Sequence, residues 1–194
     1  MMPVRIRGDV WLGVAAGLAA LALPGGGQAK PAAKPAVAKP APAEAVLATA
    51  PLIAPDGAPA GKAWLVRGPQ GLGLRLALTG LPPGVHGLHL HTKGLCVGPD
   101  FASAGGHLNP GHRQHGADNR MGAHMGDLPN VTADAQGRVA TTLPLAGEVD
   151  ALLPALFDAD GTALVVHAQP DDYKTDPAGN AGPRIACGVF GQGS

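Results

Sequence analysis

Along residues 72–78 the chain alternates. Leu72, Leu74, Leu76 and Leu78 fall on one side, and Gly73, Arg75 and Ala77 on the other. Side chains of a strand alternate with period two, so this run predicts a half-buried strand over 73–78. Short apolar or alternating runs recur at 45–53, 62–67, 85–91, 131–133, 138–145, 163–167 and 185–190, divided by Gly, Pro and Asp. They predict about eight strands. Leu81-Pro82-Pro83-Gly84 reads as a turn, and Asp134-Ala135-Gln136-Gly137 as the turn of a hairpin between its flanking runs. Helix is nearly absent: residues 150–157 would form one short helical turn, which Pro154 weakens.

Two segments break this rhythm. Residues 92–130 and 168–184 are rich in Gly, Pro, Asp and His. Loops of such length without structure of their own are usually functional. The pattern therefore predicts an all-β fold, a small antiparallel sandwich or barrel carrying two long site-forming loops.

The N-terminus reads differently. Residues 1–29 have the layout of a secretory signal: Arg5 and Arg7, the apolar run Val10 to Leu23, then small residues at Gly27-Gln28-Ala29. The apolar run is fourteen residues long. A comfortable helical span needs about 20, so an uncleaved anchor is the weaker alternative. Residues 30–44 are Ala/Pro/Lys-rich, lack periodicity, and predict a disordered or polyproline-like tether. The domain is then 45–194, in the periplasm or otherwise exported, with no membrane span after cleavage.

Composition narrows the function. Residues 45–191 hold nine Lys/Arg against twelve Asp/Glu, a formal charge of −3, which gives no footing for a nucleic-acid partner. Aromatics are 3% of the chain, so the core must be built from Leu, Val, Ile and Ala, and added fasteners would help. Cys96 and Cys187 are the two cysteines. In an exported chain a pair so separated usually forms a disulfide, the alternative being two free thiols available to a metal.

Histidine carries the chemistry. The first 85 residues contain none, and residues 86–167 contain all eight. His89 and His91 are two apart on a predicted strand, and so share a face. His167 ends another strand, and His107 lies in the first long loop. Four imidazoles around one ion form a tetragonal nitrogen site that suits copper. His107, His115, His124 and Asp127 offer three nitrogens and a carboxylate, a closed tetrahedral set of the kind that holds structural zinc. His107 would then serve both ions. Two flanking dications make loss of both its ring protons feasible at neutral pH. His86 and His112 have no place in the pattern and read as solvated or locally hydrogen-bonded.

Gly87-Leu88-His89-Leu90-His91, Gly105-Gly106-His107-Leu108-Asn109-Pro110, His124-Met125-Gly126-Asp127-Leu128, Val165-Val166-His167 and the run from Gly179-Asn180 through Arg184 to Cys187-Gly188 resemble the copper/zinc superoxide dismutases. The likeness spans residues 45–191. Cys96, five residues after His91, is closer to the exported bacterial branch than to the animal one. The resemblance implies an eight-stranded antiparallel Greek-key sandwich or barrel, dismutation of superoxide, and one copper and one zinc per subunit. It implies copper on His89, His91, His107 and His167, and zinc on His107, His115, His124 and Asp127. It also implies a Cys96–Cys187 disulfide, His107 and Arg184 as catalytic residues, and Asp171 as the carboxylate linking ligands of the two metals. Asp172 competes for that last role. Arg184 would attract the anionic substrate. A homodimer is the expected assembly and a monomer the alternative, because bacterial and animal members pair through different faces. The second loop departs from the animal pattern: it is short, has Lys174 but few other charges, and carries Ala178 in place of a threonine.

Two other functions fit parts of the pattern. A metal carrier for soft Cu(I) would favour Met and Cys donors, and the chain has no Met cluster. A zinc-only, dismutase-like structural or adhesion domain would have no need for the copper positions, which are all present.

Overall fold

The computed structural model describes residues 44–147 and 149–192. The expected leader at 1–29 and the tether, apart from Glu44, lie outside the described residues. Strands β1 (Ala45–Ile53), β2 (Pro59–Gly68) and β3 (Gly71–Leu78) form an antiparallel meander. β4 (Gly84–His86) and β5 (Leu88–His91) follow, then the first long loop, which holds a single 3-10 turn at Ala102–Ala104. After it come β6 (Val131–Ala133), β7 (Val139–Pro144), helix α1 (Val149–Leu156), β8 (Ala163–His167), β9 (Arg184–Val189) and β10 (Gly191–Gln192).

The main sheet runs β5-β8-β9-β1-β2-β3-β7, with β10 also on β1, and a two-strand ribbon pairs β4 with β6. β3 skips to β7, and β5 skips to β8. Such long returns to a non-consecutive antiparallel neighbour are Greek-key connections, so the fold is the Greek-key β class expected.

Alternation accounts for the core. Leu72, Leu74, Leu76 and Leu78 are all buried, together with Leu52, Leu65 and Ala63 from the paired strands. On the outer face Arg75 lies over the Trp64 ring at 4.9 Å and pairs with Glu44 at 2.6 Å. β5 and β8 are buried at every position. A strand covered on both faces reads as a continuous apolar run, which is why 163–167 shows no alternation.

Three expectations are corrected. The run 85–91 is two strands, not one: it breaks at Gly87, with β4 going to β6 and β5 to β8. Gly87 N–H donates to Gln169 O at 2.8 Å, and Gly87 O accepts from His167 N–H at 2.8 Å. A Cβ there would lie 2.9 Å from that of Ala181, so only glycine lets the second loop approach this closely. The turn at 134–137 does not close a hairpin ladder, because β6 and β7 pair with different strands. It passes the chain from the ribbon to the sheet, closed by Asp134 Oδ1 on the N–H groups of Gln136 and Arg138. Finally, α1 runs eight residues despite Pro154. Leu152 and Leu156, four apart on one face, are both buried, and that burial outweighs the lost backbone bond.

Candidate metal centre

β5 and β8 are antiparallel neighbours, with His89 opposite Val165 and His91 opposite Ala163. The first loop is laced onto the free side of β5. Leu108 N–H donates to Leu90 O, Leu90 N–H to Gly126 O, and Gly126 N–H to Leu108 O. Isolated bridges set His91 against His107 and His89 against Asp127. Loop residues are thereby placed with strand-like precision. A Cβ on Gly126 would strike Leu90 O, so the second of these contacts needs glycine.

The ring orientations are fixed one by one. His89 Nε2 meets Asp171 Oδ2 at 2.7 Å. His91 Nδ1 meets Gly105 O at 2.9 Å, and His167 Nδ1 meets Gly182 O at 3.0 Å. Each carbonyl or carboxylate takes the ring's N–H and leaves the other nitrogen with a lone pair. Those other nitrogens, His89 Nδ1, His91 Nε2 and His167 Nε2, are buried without a hydrogen-bond partner, as is His107 Nε2. Buried polar atoms are nearly always satisfied, so four orphans in one place indicate a missing common partner. Donor atoms of these four histidines lie within 4.8 Å of one another.

On its other side His107 offers Nδ1 to a second set. That atom is 2.9 Å from Asp127 Oδ1 and 3.3 Å from both His115 Nδ1 and His124 Nδ1. Asp127 Oδ1 is 3.0 Å from His115 Nδ1 and 3.2 Å from His124 Nδ1. Donors on a tetrahedron about 2.0–2.1 Å from a zinc ion would be about 3.3 Å apart. The five separations, 2.9 to 3.3 Å, lie at that edge or a few tenths of an ångström below it. Grouping by distance alone puts His89 with His107, His115 and Asp127 in place of His124. The ring contacts decide for His124, since His89 Nε2 is taken by Asp171 and its Nδ1 belongs to the first set.

Asp171 stands between the sets. It is buried, with Oδ2 on His89 and Oδ1 on His115 Nε2 at 2.9 Å. Asp172 is exposed and serves the second loop instead, accepting from the N–H groups of Lys174 and Thr175 and from the Asn180 amide. Gly179 is pressed against the Asp171 carboxylate, where a Cβ has no room.

Burial tunes the charges. It lowers His91 to about 2, His167 to about 3 and His107 to about 4, partly opposed by the bonds to Gly105, Gly182 and Asp127 respectively. These rings are neutral donors at any physiological pH. Burial pushes Asp127 and Asp171 upward, but hydrogen bonds outweigh it and hold both below the usual carboxylate range. Asp127 is held by His107 and Gly116 N–H, and Asp171 by His89 and His115.

Arg184 opens β9 and donates to Phe101 O at 2.6 Å and Gly105 O at 2.7 Å. Gly105 O thus holds both the guanidinium and the His91 ring. Burial lowers the Arg184 pKa, the charge of Asp100 opposing, and the side chain stays cationic. Arg184, Arg113, His91, His107, His124 and His167 line one open cavity of about 410 Å³. Cys96 and Cys187 are joined, tying the loop to β9 across 91 residues.

Some contacts escape sequence reasoning. Of the two readings of His86, the locally hydrogen-bonded one holds and the solvated one does not: the ring is buried, with Nε2 at 2.7 Å from Pro82 O and Nδ1 at 2.8 Å from the distant His167 O. It ties the Pro82 turn to the end of β8. Its place three residues before His89-Leu90-His91 was the only signal available. His112, exposed and at φ 48, stays outside the site. The carbonyls of Gly105 and Gly182 orient two rings, yet backbone acceptors carry no residue signature.

Fold and side-chain clusters define an all-β protein with two groups of potential metal donors that both include His107. Residues 60–190 match the family model for copper/zinc superoxide dismutase. A superoxide dismutase [Cu-Zn] of Aquifex aeolicus is 46% identical over 146 residues, covering 74% of this chain and 85% of that one. One from Caulobacter vibrioides is 46% identical over 149 residues, covering 74% and 84%. The crystal structure of a SOD-like protein from Bacillus subtilis superposes with TM-score 0.70 at 38% identity, covering 75% and 99%. The chain belongs to the copper/zinc superoxide dismutase family, oxidoreductases whose metals are copper and zinc.

Proposed function

We propose that the first donor set, His89, His91, His107 and His167, holds copper, and that His107, His115, His124 and Asp127 hold zinc, with His107 as the bridge. The four buried, unpartnered nitrogens carry this reading. Copper, when bound, supplies the one-electron redox chemistry by which two superoxide ions and two protons become oxygen and hydrogen peroxide.

The chain's residues do the rest. Arg184 draws the anion into the cavity and offers it N–H donors. His107 Nε2 takes up and returns a proton for peroxide formation, while its Nδ1 stays with the second set. Asp171 holds His89 and His115 in register, and the carbonyls of Gly105 and Gly182 hold His91 and His167. The test is superoxide decay, measured on the purified protein before and after copper loading. Copper-dependent turnover is expected. A protein that binds zinc but shows no turnover when loaded with copper would leave only a structural zinc domain.

The reading extends to the cell. A disulfide persists in oxidising compartments. With the leader at 1–29, the tether at 30–44 and a domain at 45–194, it supports an exported, periplasmic enzyme that defends the envelope. No helix among the described residues is long and apolar enough to cross a membrane. We take the assembly to be a homodimer, with a monomer as the alternative that sedimentation would reveal.

A further inference from the structure

The second loop lies over the first. Asp118 N–H donates to Tyr173 O at 2.9 Å, Tyr173 Oη accepts from Asn130 N–H at 2.7 Å, and Asn119 reaches Lys174 O. At the end of this contact the half-exposed Asp176 carboxylate reaches the first loop. Its Oδ1 accepts the backbone N–H of His115 at 2.6 Å and lies 3.9 Å from His124 Nε2.

Those are two of the zinc donors, and each directs Nδ1 at the zinc set. The outer nitrogen of His115 is taken by Asp171. The outer nitrogen of His124 has no bond among the described residues, and Asp176 is the carboxylate it faces. A metal-bound imidazole donates its outward N–H to a carboxylate, a carbonyl or water, which fixes the ring and makes it a better ligand. At 3.9 Å the pair is within ion-pair range but beyond a direct hydrogen bond, a gap that one bridging water can span. Asp176, Pro177 and Ala178 also line the cavity that holds Arg184 and the copper nitrogens.

We propose that Asp176 is a positioning residue for zinc, acting through His115 and His124, and that it ties zinc occupancy to the wall of the copper cavity. This rests on the zinc assignment made above. Asp171 then serves both metals, whereas Asp176 serves zinc alone.

The experiment is zinc competition against a chromophoric chelator. It uses copper-free wild type, Asp176→Ala, Asp176→Asn and His124→Ala, with thermal melting of each metal-free protein. Asp176→Ala should weaken zinc binding about tenfold. Its metal-free melting should stay at the wild-type value. Asp176→Asn should fall between, because its amide oxygen still accepts from His115 N–H but carries no charge. Cobalt placed in the zinc site should show shifted visible bands in Asp176→Ala. If His124→Ala loses zinc while Asp176→Ala keeps wild-type affinity, the inference is overturned and the zinc assignment stands. Equal losses of metal-free stability and zinc affinity, both restored by Asp176→Asn, would make Asp176 a loop tie only and overturn it too. If neither wild type nor His124→Ala binds zinc, the zinc assignment itself falls.

Discussion

The His107 ring meets Asp127 through Nδ1 at 2.9 Å, while its Nε2 is buried without a partner. One imidazole therefore faces two donor sets, and no other described residue does so with both ring nitrogens. His107→Ala should abolish dismutation and weaken zinc binding together. His167→Ala should abolish dismutation and spare zinc, since its Nδ1 is committed to Gly182 O. Metal content of the two purified variants checks this. Wild-type zinc occupancy in His107→Ala would remove the bridge.

Asp171 touches both sets through separate oxygens. Asp171→Ala frees the outer nitrogens of His89 and His115 at once. Loss of such a partner typically costs 10–100-fold in metal affinity. Both copper and zinc should weaken by about that factor, as chelator titration would measure. Asp172→Ala should leave both unchanged, because its carboxylate serves the loop backbone. Equal effects of the two variants would undo the distinction.

The strands were legible where one face meets solvent. Leu72 to Leu78 alternated, and they pack as expected. The break at Gly87 was not legible, because it comes from residues far along the chain: the end of β8 donates through His167 N–H, and the second loop accepts through Gln169 O. Histidine spacing pointed to the rings that cluster in the structure, since all eight fall within residues 86–167. The offset from His167 favours Asp171 but keeps Asp172 as a rival, because the two are adjacent. Burial separates them, and burial depends on where the loop folds back. Asp176 left no signal, because its partner is a backbone N–H.

Acid should destabilise the metal-free protein well above the carboxylate range. His91, His107 and His167 have folded values of about 2, 4 and 3 against 6.5 when exposed. Their folded values are depressed, so the unfolded chain binds protons first as pH falls. Stability is complete above about pH 6.5 and declines below it, until each folded value is reached. The slope is about 1.4 kcal/mol per pH unit for each fully protonated imidazole. Urea midpoints of chelator-treated protein should fall steadily from pH 7 to 5. A flat profile over that interval would contradict the burial of the three neutral rings.

The Cys96–Cys187 bond closes a loop containing five of the seven proposed metal donors, four of them in the first long loop. Chain entropy alone assigns such a closure about 4–5 kcal/mol. Reduction should lower the melting temperature and speed zinc release. Scanning calorimetry with and without reductant, alongside zinc release into a chelator, measures both. Unchanged zinc release from the reduced protein would show that β5 alone holds the loop.

Arg184 should govern rate more than fold. Its guanidinium donates to two carbonyls, Phe101 O and Gly105 O, and has no carboxylate within ion-pair distance among the described residues. Its charge therefore remains available to the cavity. Superoxide is a small anion, and a cation beside its destination raises both local concentration and encounter rate. Arg184→Glu reverses that charge and should reduce kcat/KM strongly with both metals bound. Arg184→Lys keeps the charge but cannot hold two carbonyls in a fork, so it should retain part of the rate. The wild-type rate should fall as ionic strength rises, because salt screens attraction beyond about 8–10 Å. The second loop contributes Lys174 but also Asp172 and Asp176, so the slope should be modest. Stopped-flow decay of superoxide across a salt series, on protein of measured copper content, reads all three effects. An Arg184→Glu protein with full copper and wild-type kcat/KM would show that attraction to this cavity does not run through Arg184.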